Sequence, residues 1–289
     1  MQTVAAVTMV RDDAFFLNAW LKHYGEMFGR ENCYVINHGR GDVVNDLAKG
    51  CNIIGIPGDP HKAFDMKRWA LLNGIVSGLR RYYRHVIVGD VDELVICDPA
   101  HGTLMGYLEE APEGRVVTPV GMEIIHRIDK EPDPITDHII GPRRHVRPAL
   151  HYAKPCIVSA PVKLSRGGHF AKYKKLHVPE TLYVVHLKFC DFAEYSGVMD
   201  ARNAMTADTG VGVKEAAIGG HWFSEARGED KAVFEAFADL KLIEEFNFAR
   251  FRRKMQRTFR PRGETGYYQF DRPDFSLQYI LPERFIGVI

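Results

Sequence analysis

The sequence predicts an α/β fold: a Rossmann-like, mostly parallel sheet flanked by helices, with an irregular second half and a C-terminal helical extension. Two observations predict this class. Strand-like and helix-like patterns alternate four times in the first ninety residues, and such alternation builds a parallel sheet covered on both faces. The 289 residues, 46% hydrophobic and 26% charged, are the composition of a globular chain, which excludes disordered, collagen-like and low-complexity proteins. In this class ligands bind in the crevice at the carboxyl ends of the strands.

Val4 to Val10 is an apolar run of strand length. After it the period changes, with Phe15, Phe16, Ala19, Trp20, Tyr24, Met27 and Phe28 at helical spacing, and Asp12 or Asp13 can cap that helix. Cys33 to Ile36 reads as the second strand, Asn37 to Asp42 as a loop, and Val43 to Lys49 as a short helix closed by Gly50. Asn52 to Ile56 is the third strand, ended by Pro57-Gly58-Asp59-Pro60. Phe64 to Tyr83 is helical, with Trp69, Leu72, Ile75, Val76, Leu79 and Tyr83 on one face, and it leads into a fourth strand, His85 to Val88. Beyond Asp98-Pro99 come a helix from about Thr103 to Glu110, a strand at Arg115 to Pro119, and a long irregular stretch, Glu123 to Pro148, of the kind that forms functional loops. Leu182 to Leu187 is the next strand, followed by a helix from Asp191 to about Met205, and Phe234 to Met255 reads as helical. The expected division is 1–100, ending in an acidic motif, 101–225 as the other half of the same domain, and 226–289 as a helical, basic extension.

The sharpest local feature is Val86-Ile87-Val88-Gly89-Asp90-Val91-Asp92-Glu93-Leu94, a buried strand that stops at three carboxylates. Extended geometry puts Asp90 and Asp92 on one side of the chain. Like charges so close need a cation or protons, and paired oxygens suit Mg²⁺ or Mn²⁺.

Met9 to Tyr24, with its strand end followed by Trp20-Leu21-Lys22-His23, resembles the opening of the family 2-like glycosyltransferases. Tyr34 to Asp42 is similar to their second strand and its loop, and Gly89-Asp90-Val91-Asp92-Glu93-Leu94 to their D-x-D-E-F metal motif. More faintly, Lys154-Pro155, Gly167-Gly168-His169 and His186-Leu187-Lys188 resemble later motifs of that group. The chain departs from the pattern at Arg11-Asp12-Asp13 and at Asn37-His38. The resemblance implies the GT-A fold, a nucleoside-diphosphate sugar donor, with UDP the first expectation, a glycan or other hydroxyl acceptor, and a divalent metal between the D-x-D carboxylates and the diphosphate. It implies donor contacts from Val10, Arg11, Asp13, Asn37, Asp90 and Val91.

The leaving diphosphate accumulates negative charge, which a metal held by Asp90 and Asp92 stabilises as a Lewis acid, and Lys67, Arg68 and Lys188 would add to this. In related sites a late histidine completes the metal shell; His186 is the first choice and His169 its rival. Inversion is favoured by the resemblance, and an inverting enzyme needs a general base. Glu123, Asp129, Asp133 and Asp137, all in the long loop, are open candidates beside their reading as solvated carboxylates.

Two alternatives stand beside this reading. A strand ending in D-x-D also marks haloacid-dehalogenase-like Mg²⁺-dependent phosphatases, although there on the first strand. A non-catalytic polyanion-binding module is the other, because Arg250 to Arg262 gathers seven basic residues in thirteen. That segment would meet an anionic membrane or an acidic glycan, or it is a solvated face offset by Glu244 and Glu245. The formal net charge of +1 gives no global attraction to nucleic acid, and none is expected as partner. Five dispersed cysteines without a C-x-x-C pair read as reduced structural thiols. With no apolar stretch of spanning length and no leader pattern, the expected location is the cytoplasm, with Arg250 to Arg262 as the contact to the inner membrane face.

Overall fold

The computed structural model describes residues 1–58, 64–209 and 230–289, with backbone alone at 64 and 201–209. The strands in chain order are β1 Gln2–Val10, β2 Cys33–His38, β3 Asn52–Ile56, β4 Tyr83–Val88, β5 Glu93–Cys97, β6 Val116–Val117 and β7 Val120–Ile125. They continue with β8 His145–Pro148, β9 Ile157–Val158, β10 Leu182–Phe189, β11 Lys241–Ile243, β12 Arg260–Pro261, β13 Tyr268–Gln269 and β14 Leu277–Ile280.

The first sheet has the order β3-β2-β1-β4-β9-β6, and its first four strands are parallel. β1 is buried from Val4 to Val10 because both faces are covered, which is why it reads as a continuous apolar run. Val4, Ala6 and Val10 join Phe16, Leu17, Trp20 and Tyr24 of the first helical segment in one core. Ala5, Val7 and Met9 face the opposite way, toward Trp69, Leu72 and Val76 of the helix Phe64–Leu79. From β1 the chain proceeds outward through β2 to β3, then returns to place β4 on the other flank of β1. That reversal is a topological switch point, and in open α/β sheets ligands bind beyond the carboxyl ends of the strands at such a point.

The second sheet is mixed, with the order β11-β14-β8-β7-β10-β5. The connection between the sheets is Gly89 to Asp92: β4 ends at Val88 in the first, and β5 begins at Glu93 in the second, antiparallel to β10. The acidic motif is therefore the crossover itself.

Several expectations change. The stretch 123–148 is irregular only between Ile125 and His145, since β7 and β8 occupy its ends and pair with each other. No single helix spans Phe234 to Met255: the helix Asp230–Glu235 gives way to β11, and a second helix runs Ala249–Thr258. The ladder of β11 with β14 claims Lys241 to Ile243, and Phe246 and Phe248 turn into the aromatic cluster around Tyr183, Tyr279 and Phe285. The helix from Phe64 stops at Leu79, and β4 starts at Tyr83. Residues 59–60 of the Pro-Gly turn and nearly all of the Gly-rich Thr209–Val213 lie outside the described residues, as does the expected boundary at 225. Among the described residues no helix is long and apolar enough to cross a membrane.

Candidate active site

At the switch point β1 delivers Arg11 and Asp12, β2 delivers His38 to Arg40, and β4 delivers Gly89 and Asp90. Asp12 (φ 50°) and Arg40 (φ 58°) are the two non-glycine residues with positive φ among the described residues, a strained conformation that a structure holds only where its surroundings impose it. Both follow the carboxyl ends of parallel strands, Asp12 after β1 and Arg40 after β2.

The carboxylates of the crossover are not left to repel one another. Asp90 meets Arg68 Nη1 at 2.9 Å through Oδ1 and Lys154 Nζ at 2.9 Å through Oδ2. Lys154 also meets Glu93 Oε1 at 2.5 Å. Burial alone would raise Asp90, but Arg68 and Lys154 outweigh it and hold the carboxyl well below the usual range. Burial pushes Glu93 up to about 7, even with Lys154 beside it, because Asp90 and Asp92 add their charges.

Asp92 turns toward the second sheet. Its carbonyl accepts from the Leu187 N–H at 2.9 Å, and its Oδ2 lies 3.2 Å from His186 Nε2. The ladder explains the meeting: β10 pairs with β5 at His186 and Glu93, and with β7 at His186 and Glu123. β8 in turn sets Arg147 opposite Glu123. Glu93, His186, Glu123 and Arg147 thus form one row across four strands. His186 Nδ1 lies 2.7 Å from Glu123 Oε1, and Arg147 Nε donates to Glu123 Oε2 at 2.6 Å. Burial would lower His186, but Asp92 and Glu123 on either side raise it to about 9.

Gly121 on β7 makes the remaining contacts possible. A Cβ there would overlap the backbone of Ala149, Tyr152 and Ala153, so only glycine lets this segment lie across the strand. The segment stacks Tyr152 on His186, ring centroids 3.6 Å apart, and places Lys154 between Asp90 and Glu93.

A carboxylate on Nδ1, here Glu123, is the partner that commonly orients a metal-ligating histidine, and a divalent ion at Nε2 would take the place of the proton that now faces Asp92. The 3.2 Å between Asp92 Oδ2 and His186 Nε2 is about the separation of neighbouring ligands around a six-coordinate ion with bonds of roughly 2.1 Å. Those two residues fit a divalent ion as adjacent ligands. Both oxygens of Asp90 are in ion pairs, with Arg68 and Lys154, and Asp92 is likewise paired with His186. Among the described residues no group of three or more His, Cys, Asp or Glu side chains is gathered to hold a metal, so substrate oxygens and water would fill the other positions.

The other predicted residues divide. Arg68 reaches the cluster, whereas Lys67 lies exposed on the same helix. His169 stands near Lys154, Asp90 and Arg272: burial and then those two cations push it down to about 3, and its Nδ1 lies 3.1 Å from the His151 carbonyl. Asp13 caps the first helix, accepting from the Phe16 N–H at 3.1 Å. Asn37, fully buried, bonds Gly41 and Asn45 and so holds its own loop. Arg11 donates to the Gly58 carbonyl, Val10 and Val91 are buried in the core, and Lys188 Nζ lies over the Phe189 and Tyr195 rings at 4.9 and 5.8 Å.

Glu123 is corrected most: it is not a solvated loop carboxylate but 1% exposed on a central strand, spent on His186 and Arg147. A lone charge inside Val120-Gly121-Met122-Glu123-Ile124-Ile125 was the available sign, since an apolar run of that length is buried and buries its charge with it. Asp129 pairs with Arg127 at 2.7 Å, and Asp133 and Asp137 are exposed, their carbonyls accepting from Arg143 and Lys22. None of these three contacts the cluster. Lys154, Glu93, Tyr152 and Arg147 are the residues that periodicity does not find; of these, Lys154 and Glu93 fall inside matched motifs.

The basic segment is also dispersed. Arg252 is buried and donates to the carbonyls of Pro179 and Glu180, Arg250 donates to the Tyr279 hydroxyl, and Arg260 pairs with Asp271 at 2.8 Å.

No family profile and no curated protein matches the sequence. Among solved structures it is similar to the crystal structure of a mannose-1-phosphate geranyltransferase from Thermus thermophilus, at 17% identity over 75% of this chain and 68% of that one, with a TM-score of 0.31.

Proposed function

We propose that the protein is a metal-dependent glycosyltransferase that moves a sugar from a nucleoside-diphosphate donor, UDP being the favoured base, to a hydroxyl of a glycan or another acceptor. The observation that carries the reading is the pairing of Asp92 with His186 at 3.2 Å, backed by Glu123 at 2.7 Å, at the crossover that closes the switch point. A Mn²⁺ or Mg²⁺ ion bound there supplies a Lewis acid for the leaving diphosphate. Glu123 holds the His186 ring, and Tyr152 covers its face. Arg68 and Lys154 keep Asp90 ionised and fixed, and they bring positive charge to the edge of the crevice where a diphosphate would lie. The buried Glu123 is unsuited to deprotonate an acceptor, and the inverting course stays an inference from the family resemblance.

The test is thermal unfolding with UDP, GDP, CDP and ADP, each with Mn²⁺ or with EDTA. One diphosphate at about 100 times its Kd should stabilise the fold by roughly 2.7 kcal/mol. The shift should vanish with EDTA and in Asp92→Ala, which should keep its fold and lose turnover. Phosphatase activity in the absence of any sugar nucleotide, with no such shift, would refute the assignment.

A further inference from the structure

The C-terminal stretch brings two more arginines to this end of the molecule. The hairpin β12–β13 docks on the loop after β9 through the bridge of Ala171 with Tyr268. It presents Arg262 from its turn and leads to Arg272 three residues after β13. Both guanidinium groups lie over the ring of Phe170, at 4.7 and 4.3 Å from its centroid, and Arg272 is also 5.2 Å from that of Phe270. Arg272 Nη2 donates to the His169 carbonyl at 2.5 Å, while its Nε is buried without a hydrogen-bond partner among the described residues. Of the nearby acids, Asp271 pairs with Arg260, and Asp274 is exposed to solvent, 3.5 Å from His151. Among the described residues no carboxylate pairs with Arg262 or Arg272.

A mostly buried arginine normally has an acid beside it, because an unpaired buried charge is costly. Here the neighbouring charge is another arginine, and burial and Arg262 together push Arg272 down to about 10. Two guanidinium groups gathered at one aromatic ring suit a group with several oxygens and negative charge. His169 links this pair to the transfer site, since it neighbours both Arg272 and the Asp90–Lys154 pair.

We infer that Arg262 and Arg272, set on Phe170, form an anion subsite beside the transfer site and bind a phosphate-like group of the substrate. The existence of the subsite is independent of the transferase reading; only the identity of the substrate rests on it. Two sources share this chemistry, an anionic acceptor and the donor's own diphosphate.

The probe is inorganic phosphate, titrated onto the full chain and followed by ³¹P line broadening, without metal. Wild type should bind it. Arg272→Gln should weaken binding at least tenfold and Arg262→Gln at least threefold, with thermal midpoints close to wild type. Titration repeated in the presence of saturating UDP and Mg²⁺ separates the sources. Retained phosphate binding assigns the subsite to an acceptor, whereas displacement, with UDP binding itself at least tenfold weaker in Arg272→Gln, assigns it to the donor. If Arg272→Gln does not fold, the exposed Arg262→Gln and the charge-preserving Arg272→Lys decide the question. Phosphate binding unchanged within twofold in the folded variants would overturn the subsite. Failure of wild type to bind UDP would instead count against the transferase reading and leave the phosphate comparison intact.

Discussion

In the parallel strands β1, β2 and β4 of the first sheet the buried side chains are mainly apolar, Val4 to Val7, Val35, Ile36 and Val86 to Val88, with Thr8, Asn37, His38 and His85 as polar exceptions and no acid among them, and helices cover both faces. In the second sheet Glu93, Glu123, His145 and His186 are all below 10% exposed, with Glu131, Arg143 and Lys154 packed against them. Apolar burial stabilises by itself, at about 25 cal/mol per Å². An ionic row at best offsets its desolvation, so it is weak evidence for stability. What it provides is position: each charge in the row holds the next at a set distance, and the row ends at the crossover.

The comparison can be broken first at Lys154. Lys154→Met leaves Glu93 and Asp90 short of a partner and should cost about 3–5 kcal/mol by chemical denaturation. Adding Glu93→Leu should recover at least half of that loss. A double variant as unstable as the single one would mean that the pair is not the unit described here. In the apolar half, Leu72→Ala should cost about 2–5 kcal/mol without changing nucleotide affinity, because Leu72 packs behind the sheet, away from the crevice; an altered Kd would show that the halves are coupled.

A smaller effect is expected at Glu131, whose carboxylate accepts from the Arg127 and Arg144 N–H groups and lies 2.8 Å from His145 Nδ1. Burial would raise it, but these hydrogen bonds hold it below its ordinary value of 4.5. A depressed acid stabilises fully above that value, and the contribution is lost as pH falls through its lower folded value. Glu131→Gln should therefore lose about 1–3 kcal/mol at pH 7 and show a flatter decline in Tm below pH 4.5 than wild type; parallel declines would remove Glu131 from the account. The smallest effect belongs to Arg284, bidentate to Asp98 at 2.6 and 2.8 Å but 40% exposed. Arg284→Ala should cost no more than about 1 kcal/mol, read as a shift in denaturation midpoint.

The parallel half was legible in the sequence because its physics is local. Val4 to Val10 and Val86 to Val88 are apolar on both sides, the helices between them carry their own period, and Asp90 and Asp92 stand where a strand stops. The resemblance to known transferases also singled out His186 and Lys154-Pro155. It did not indicate that Lys154 lies between Asp90 and Glu93, since about 60 residues of chain separate them. Glu123 reads as a loop carboxylate in the sequence because Gly121 and the polar residues after Ile125 weaken the strand pattern. Phe234 to Met255 read as one helix because its aromatic residues fit that period, whereas Lys241 to Ile243 are held by β14, whose pairing no local pattern announces.

The alternating α/β order, the covered faces of β1 and the acidic stop after β4 follow from side-chain period and burial within a few neighbouring residues. What those carboxylates meet follows from the packing of distant strands. The register of β5, β10, β7 and β8 aligns Glu93, His186, Glu123 and Arg147, the close approach at Gly121 brings in Tyr152 and Lys154, and the C-terminal hairpin adds Arg262 and Arg272. Such contacts arise between strands far apart in the chain, where a charge finds its partner through pairing register rather than through sequence spacing.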